Sequence, residues 1–171
     1  MPIEPDLKDW TWVIDARCPE CGFDGAGVDD LPGALRANAA AWPDVLSGPD
    51  AAVRPAEHVW SALEYACHVR DVHRVFDERV HRMLGEDDPV FANWDQDAAA
   101  VEADYWDQDP TTVADELVSA AETVAATYAG VGDRWERPGR RSNGSAFTVA
   151  TIGRYHLHDV VHHLHDVGPR T

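Results

Sequence analysis

Apolar residues recur at helical spacing in four long stretches of the chain. The first begins at Asp29-Asp30-Leu31-Pro32, acidic residues followed by a proline, as at a helix N-terminus. It continues through Leu35, Ala39, Trp42 and Leu46 and stops at Ser47-Gly48-Pro49. The second begins near Trp60-Ser61, with Glu64 three residues after Ser61 in a capping-box pattern. Leu63, Cys67, Val72, Val75, Phe76, Val80 and Leu84 carry it to Gly85. The third starts at Asp109-Pro110-Thr111-Thr112 and runs through Val113, Leu117, Ala120, Val124 and Tyr128 to Gly130. The last runs from about Thr148 to Val167 and ends at Gly168-Pro169. Strand signals are weak. The pattern predicts an all-α four-helix bundle.

The intervals fill in the rest. Residues 1–28, with Pro2, Pro5, Pro19 and the glycines at 22, 25 and 27, read as an irregular N-terminal segment ahead of a bundle domain at 29–171. Residues 85–110 are acidic and aromatic, with a short helix expected around Ala98–Ala103 and Asp95 suited to cap it. Arg134 to Gly144 reads as a polar loop.

Composition narrows the class. The chain has 171 residues and a formal net charge of −17. That length suits one domain with one core. The acidity opposes binding to a phosphate backbone or an anionic membrane. No stretch approaches the roughly 20 apolar residues of a membrane span. The N-terminal residues show no signal-peptide pattern, so the expectation is a cytoplasmic protein. Three cysteines are too few for a secreted disulfide framework. The expected partner is a small-molecule substrate, and the expected state is monomer or homodimer.

Nine histidines are the main chemical clue. At about 100° per residue, with His158 as origin, His162 lies near 40° and His165 near 340°. The apolar arc of Leu157, Val160, Val161, Leu164 and Val167 lies beside that stripe, whereas His156 and His163 are expected on the exposed side. An i, i+4 histidine pair can chelate one ion from one side of a helix. His68 shares its helical line with Val72 and Val75 and is expected to face inward, so it offers a third donor. The competing reading is three packed, hydrogen-bonded core histidines.

The stretches Trp60-Ser-Ala-Leu-Glu64-Tyr-Ala-Cys-His68 and His158-Asp-Val-Val-His162-His163 resemble the DinB-like four-helix-bundle superfamily. That group includes the bacillithiol and mycothiol S-transferases and the mycothiol-dependent maleylpyruvate isomerases. The resemblance spans about residues 29–167. It implies a divalent metal, zinc or nickel, held by His68, His158 and His162, with an open position for a thiol or water. It further implies a transferase that activates a low-molecular-weight thiol such as mycothiol for attack on a small electrophile. A hydrolase using water at the same metal and a non-enzymatic metal-binding stress-response module are the alternatives. An Arg-rich, Lys-poor composition points to a high-GC genome, which suits a mycothiol user.

Other residues carry two readings each. Glu64, one turn before His68, is either a catalytic base or the capping glutamate of Ser61. Trp60 is the candidate pocket wall, and Arg154 and Tyr155 are candidates for holding an anionic substrate group. Cys18-Pro-Glu-Cys21-Gly has the form of one zinc knuckle without a second. It is half of a metal site completed by histidines or another subunit, a redox dithiol, or a turn with reduced thiols. Cys67 reads as a small core residue.

Overall fold

The computed structural model describes residue 3 and residues 8–168. The expected breaks at Pro2, Pro5 and Pro169 lie outside the described residues. Among the described residues there are six α-helices: α1 (Leu31–Ala40), α2 (Trp42–Leu46), α3 (Ala62–Gly85), α4 (Gln96–Glu102), α5 (Pro110–Ala129) and α6 (Val149–Val167). Helices α1, α3, α5 and α6 form the bundle. Helix α5 packs between α1 and α3, and α6 packs against the same two from the other side.

The helix starts follow from local chemistry. The Asp30 side chain accepts from Gly33 N–H at α1, and Asp109 accepts from Thr112 N–H at α5, with a proline in each first turn. Ser61 and Glu64 form a reciprocal capping box at α3. Asp95 caps α4, accepting from the N–H groups of Asp97 and Ala98. Thr148 does the same for α6 with Thr151. The expected single helix through residue 46 breaks at Ala41, because Pro43 cannot donate a helical N–H.

Where only a loop was expected, the structure contains a small three-stranded sheet of order β1-β2-β3. Strand β1 (Val90–Phe91) runs parallel to β2 (Pro138–Arg141), which pairs antiparallel with β3 (Ala146–Thr148). These strands are two to four residues long, too short for alternation to register. Gly139, within the expected loop, is a packing residue of β2. A Cβ at this position would stand 2.7 Å from Met83 Cγ and 2.7 Å from Phe91 Cζ. Strand β3 leads directly into α6 and so sets where that helix begins.

The described part of the segment before α1 has 3-10 turns at Thr11–Ile14 and Gly25–Gly27, and these pack along α6. Its Cys18 and Phe23 belong to the same hydrophobic core as the bundle. As a result α6 is covered on two sides. His156, expected on the exposed side, instead faces the bundle and is fully buried against α3 and α5, and His163 faces α3 and is only partly exposed. His156 Nε2 lies 3.0 Å from His73 Nδ1, and its Nδ1 lies 3.2 Å from the Tyr128 hydroxyl, a polar chain across three helices. Among the described residues no helix is long and apolar enough to cross a membrane.

Candidate metal centres and the adjoining cleft

The capping box fixes the phase of α3, so His68 arrives one turn later facing the bundle with no exposure. Across from it, α6 presents Asp159 and His163. Asp159 Oδ1 lies 3.4 Å from His68 Nε2 and 3.4 Å from His163 Nε2. Tetrahedral donors at metal bonds of about 2.1 Å stand about 3.4 Å apart. His163 Nδ1 donates to Asp166 Oδ2 at 3.1 Å, which fixes the tautomer and turns the Nε2 lone pair toward Asp159. Both ring nitrogens of His68 and Oδ1 of Asp159 are buried without a hydrogen-bond partner among the described residues. The 3.4 Å approaches are long for hydrogen bonds, and a cation between the three groups would satisfy all of them at once. This donor set therefore fits a divalent ion.

Electrostatics point the same way. Burial, only partly opposed by Asp159, lowers the His68 pKa, so the ring is neutral and able to ligate. Burial raises the Asp159 carboxyl, but the close approach of His68 Nε2, with His163 beside it, outweighs burial and holds it far below the usual carboxylate range. Trp94 stacks on His68 at 5.5 Å and 13°, and Trp60 lies 5.5 Å from the same ring.

His158 and His162 occupy a different face of α6. They group with Cys18 and Cys21, and one donor atom from each of the four lies within 4.8 Å of the others. Among the described residues the expected trio of His68, His158 and His162 does not form such a group; His68 groups with Asp159 and His163. The difference is one residue. Both 158/162 and 159/163 are i, i+4 pairs, and a step of one position turns the face by about 100°. Burial lowers the pKa of His158 to about 4, and burial likewise lowers that of His162, so both rings are neutral near pH 7. Burial pushes the Cys21 thiol up to about 11 in the metal-free state, the opposite of the depression a reactive dithiol needs.

Glu64 lies one turn before His68 but its oxygens are engaged. Both accept from Arg54, and Oε2 also accepts from Ser61 N–H at 2.9 Å. Burial raises its pKa, yet Arg54 and the cap outweigh that and leave it below the ordinary value. Arg154 packs its aliphatic stem against Gly25. Tyr155 lines a cleft of about 1100 Å³, together with Trp10, Trp94, Asn93, Arg141 and Ser145. The Arg141 guanidinium stands 5.4 Å from the Tyr155 ring, and its Nε is buried with no hydrogen-bond partner among the described residues.

Sequence reasoning missed Asp159, His163, Asp166 and Arg141 in these roles. The signal for the first two was present: Asp159-x3-His163 has the same spacing as His158-x3-His162.

Helices α3 and α6 of the bundle thus meet over two histidines and a carboxylate, a group that could hold a metal ion. The model of the DinB superfamily matches residues 34–167, and the chain belongs to that family. No curated protein matches this sequence. Among solved structures, the chain is similar to YfiT from Bacillus subtilis, described as a probable metal-dependent hydrolase with an unusual four-helix bundle topology. The TM-score is 0.72 at 19% identity, over 80% of this chain and 82% of that one. That likeness supports the fold.

Proposed function

We propose that the chain is a divalent-metal-dependent enzyme whose metal, zinc or nickel, is held by His68, Asp159 and His163. In this reading it activates a low-molecular-weight thiol, mycothiol in the family resemblance, for attack on a small electrophile. The observation that carries the reading is Asp159 Oδ1, 3.4 Å from two imidazole nitrogens and without a hydrogen bond. It favours Asp159 and His163 over His158 and His162 as the partners of His68. Three protein donors leave a coordination position open, the mark of a catalytic site. A divalent ion there supplies Lewis acidity, lowering the pKa of a thiol or water beside it.

The chain's own residues bind and orient. Asp166 holds the His163 tautomer, and Trp94 and Trp60 pack against the His68 ring and fix its orientation. Glu64 is a positioning residue, since its oxygens serve Arg54 and the α3 cap. Arg141, beside Tyr155, is suited to an anionic group on the substrate. The cleft, at about 1100 Å³, slightly exceeds the usual range of about 300–1000 Å³ for small-molecule sites. That leaves room for a thiol and an electrophile together.

A second reading is hydrolysis. The open position suits water as well, and the similar fold of YfiT, described as a probable metal-dependent hydrolase, supports it. Metal-loaded protein assayed on a fluorogenic electrophile with and without mycothiol separates the two. Thiol-dependent conjugation supports transfer; turnover of ester or amide substrates that is indifferent to thiol supports hydrolysis. No metal-dependent turnover of either kind overturns the enzymatic reading.

A further inference from the structure

We propose that Cys18, Cys21, His158 and His162 form a second, closed zinc site that clamps the N-terminal segment onto α6. The site is separate from the one assigned to catalysis and does not depend on it. Cys18-Pro19-Glu20-Cys21-Gly22 folds as a knuckle. Gly22 N–H donates to Cys18 O at 2.9 Å, and Cys18 N–H donates to Phe23 O at 2.9 Å. Gly22 closes that turn at φ +77°, a conformation that side chains with a Cβ rarely adopt. The knuckle sets both sulfurs against the 158/162 face of the helix.

The donor geometry fits zinc. Cys18 Sγ lies 3.7 Å from His162 Nδ1. A sulfur and a nitrogen sharing tetrahedral zinc stand about 3.6 Å apart, from bonds of about 2.3 and 2.0–2.1 Å. His158 contributes a donor nitrogen to the group, and its Nε2 is buried with no hydrogen-bond partner among the described residues. On its far side, His162 Nε2 faces Glu20 Oε2 at 3.5 Å and Asp166 Oδ1 at 3.8 Å. A carboxylate behind a ligating imidazole is the usual supporting arrangement. The four donors also balance in charge. On binding, the two thiols release their protons to solvent, and two thiolates with two neutral imidazoles cancel the charge of Zn²⁺. A neutral assembly is what a buried site tolerates. Thiolate donors favour zinc over hard cations.

Four protein donors leave no open position, which makes the site structural. Its consequence reaches the cleft. Trp10 lies 5.5 Å from His158 and 5.0 Å from His162, and it also lines the cleft. The clamp therefore holds one wall of the cleft in place. Helix α6 carries two i, i+4 pairs about 100° apart, one for each centre.

Cobalt(II) loading and zinc analysis of the full chain test this. Cobalt-loaded wild type is expected to show a thiolate-to-cobalt charge-transfer band in the near ultraviolet. His68→Leu is expected to keep that band and to lose one zinc per chain. Cys18→Ser and Cys21→Ser are expected to lose the band and the other zinc, and to expose residues 10–28 to protease. Should the cysteine variants fail to fold, the wild-type spectrum decides. Absence of the thiolate band, or unchanged zinc content in folded cysteine variants, overturns the proposal. Failure of the His68 centre alone would read differently: one zinc per chain with the band retained.

Discussion

Replacing His68 by leucine separates a residue kept for a ligand from one kept for packing. In the metal-free protein both ring nitrogens are buried without hydrogen bonds, at a cost of about 1–3 kcal/mol each. Leucine removes that cost. It forfeits the Trp94 stack, about 0.5–1.5 kcal/mol, and part of the Asp159 contact at 3.4 Å. The net is a metal-free variant more stable than wild type by about 1–4 kcal/mol. At about 2–4 °C per kcal/mol for a chain of this size, its Tm in chelator should be several degrees higher. Metal reverses the order. At 100 times Kd a ligand adds about 2.7 kcal/mol to a protein that binds it. Wild type gains that increment at this centre, whereas the variant does not. Metal in the cysteine-containing group shifts both proteins alike. Thermal melts of both proteins in chelator and in excess zinc read the crossing. A variant less stable than wild type in chelator, with an equal gain on adding metal, would refute the reasoning: His68 would then be an ordinary core residue.

Other predictions follow from neighbouring groups. Arg54→Met leaves Glu64, 1% exposed, without its cation and should cost about 2–4 kcal/mol in urea denaturation, less than a fully buried pair because Arg54 is partly exposed; a loss below about 0.5 kcal/mol would show the pair to be inert. Burial lowers His73 to about 4 and His156 well below 6.5, so the folded state keeps both neutral while the unfolded chain takes up protons. Between the ordinary value of 6.5 and about 4 the unfolded state binds more protons, so metal-free stability should drop as the pH is lowered through that window, by up to about 1.4 kcal/mol per unit per histidine. Denaturation at a series of pH values checks this, and a flat profile over that window contradicts it. Arg141→Met should raise KM for an anionic substrate several-fold with little change in kcat, since the residue binds uniformly instead of acting at the reacting atoms.

Much of the bundle is legible because its helix boundaries are written in short-range chemistry. Ser61 with Glu64, Asp109 with Pro110, and Asp95 ahead of α4 each satisfy backbone N–H groups within a few residues. The sheet is not legible, since Pro138 and Gly139 resemble a loop and Val90–Phe91 is too short to alternate. The inward aspect of His68 can be read from its apolar line-mates Val72 and Val75, and the histidines of α6 mark that helix as the other half. Which of two adjacent i, i+4 pairs meets His68 is a tertiary matter. The N-terminal segment covers His158 and His162, leaving Asp159 and His163 for α3, and helical periodicity carries no record of that cover.

The central claim is where the metal sits. Anomalous diffraction from crystals of metal-loaded protein measures that position directly. A peak is expected within bonding distance of His68 Nε2, His163 Nε2 and Asp159 Oδ1. A structure with no metal at His68, or with His68 bound together with His158 and His162, would contradict it.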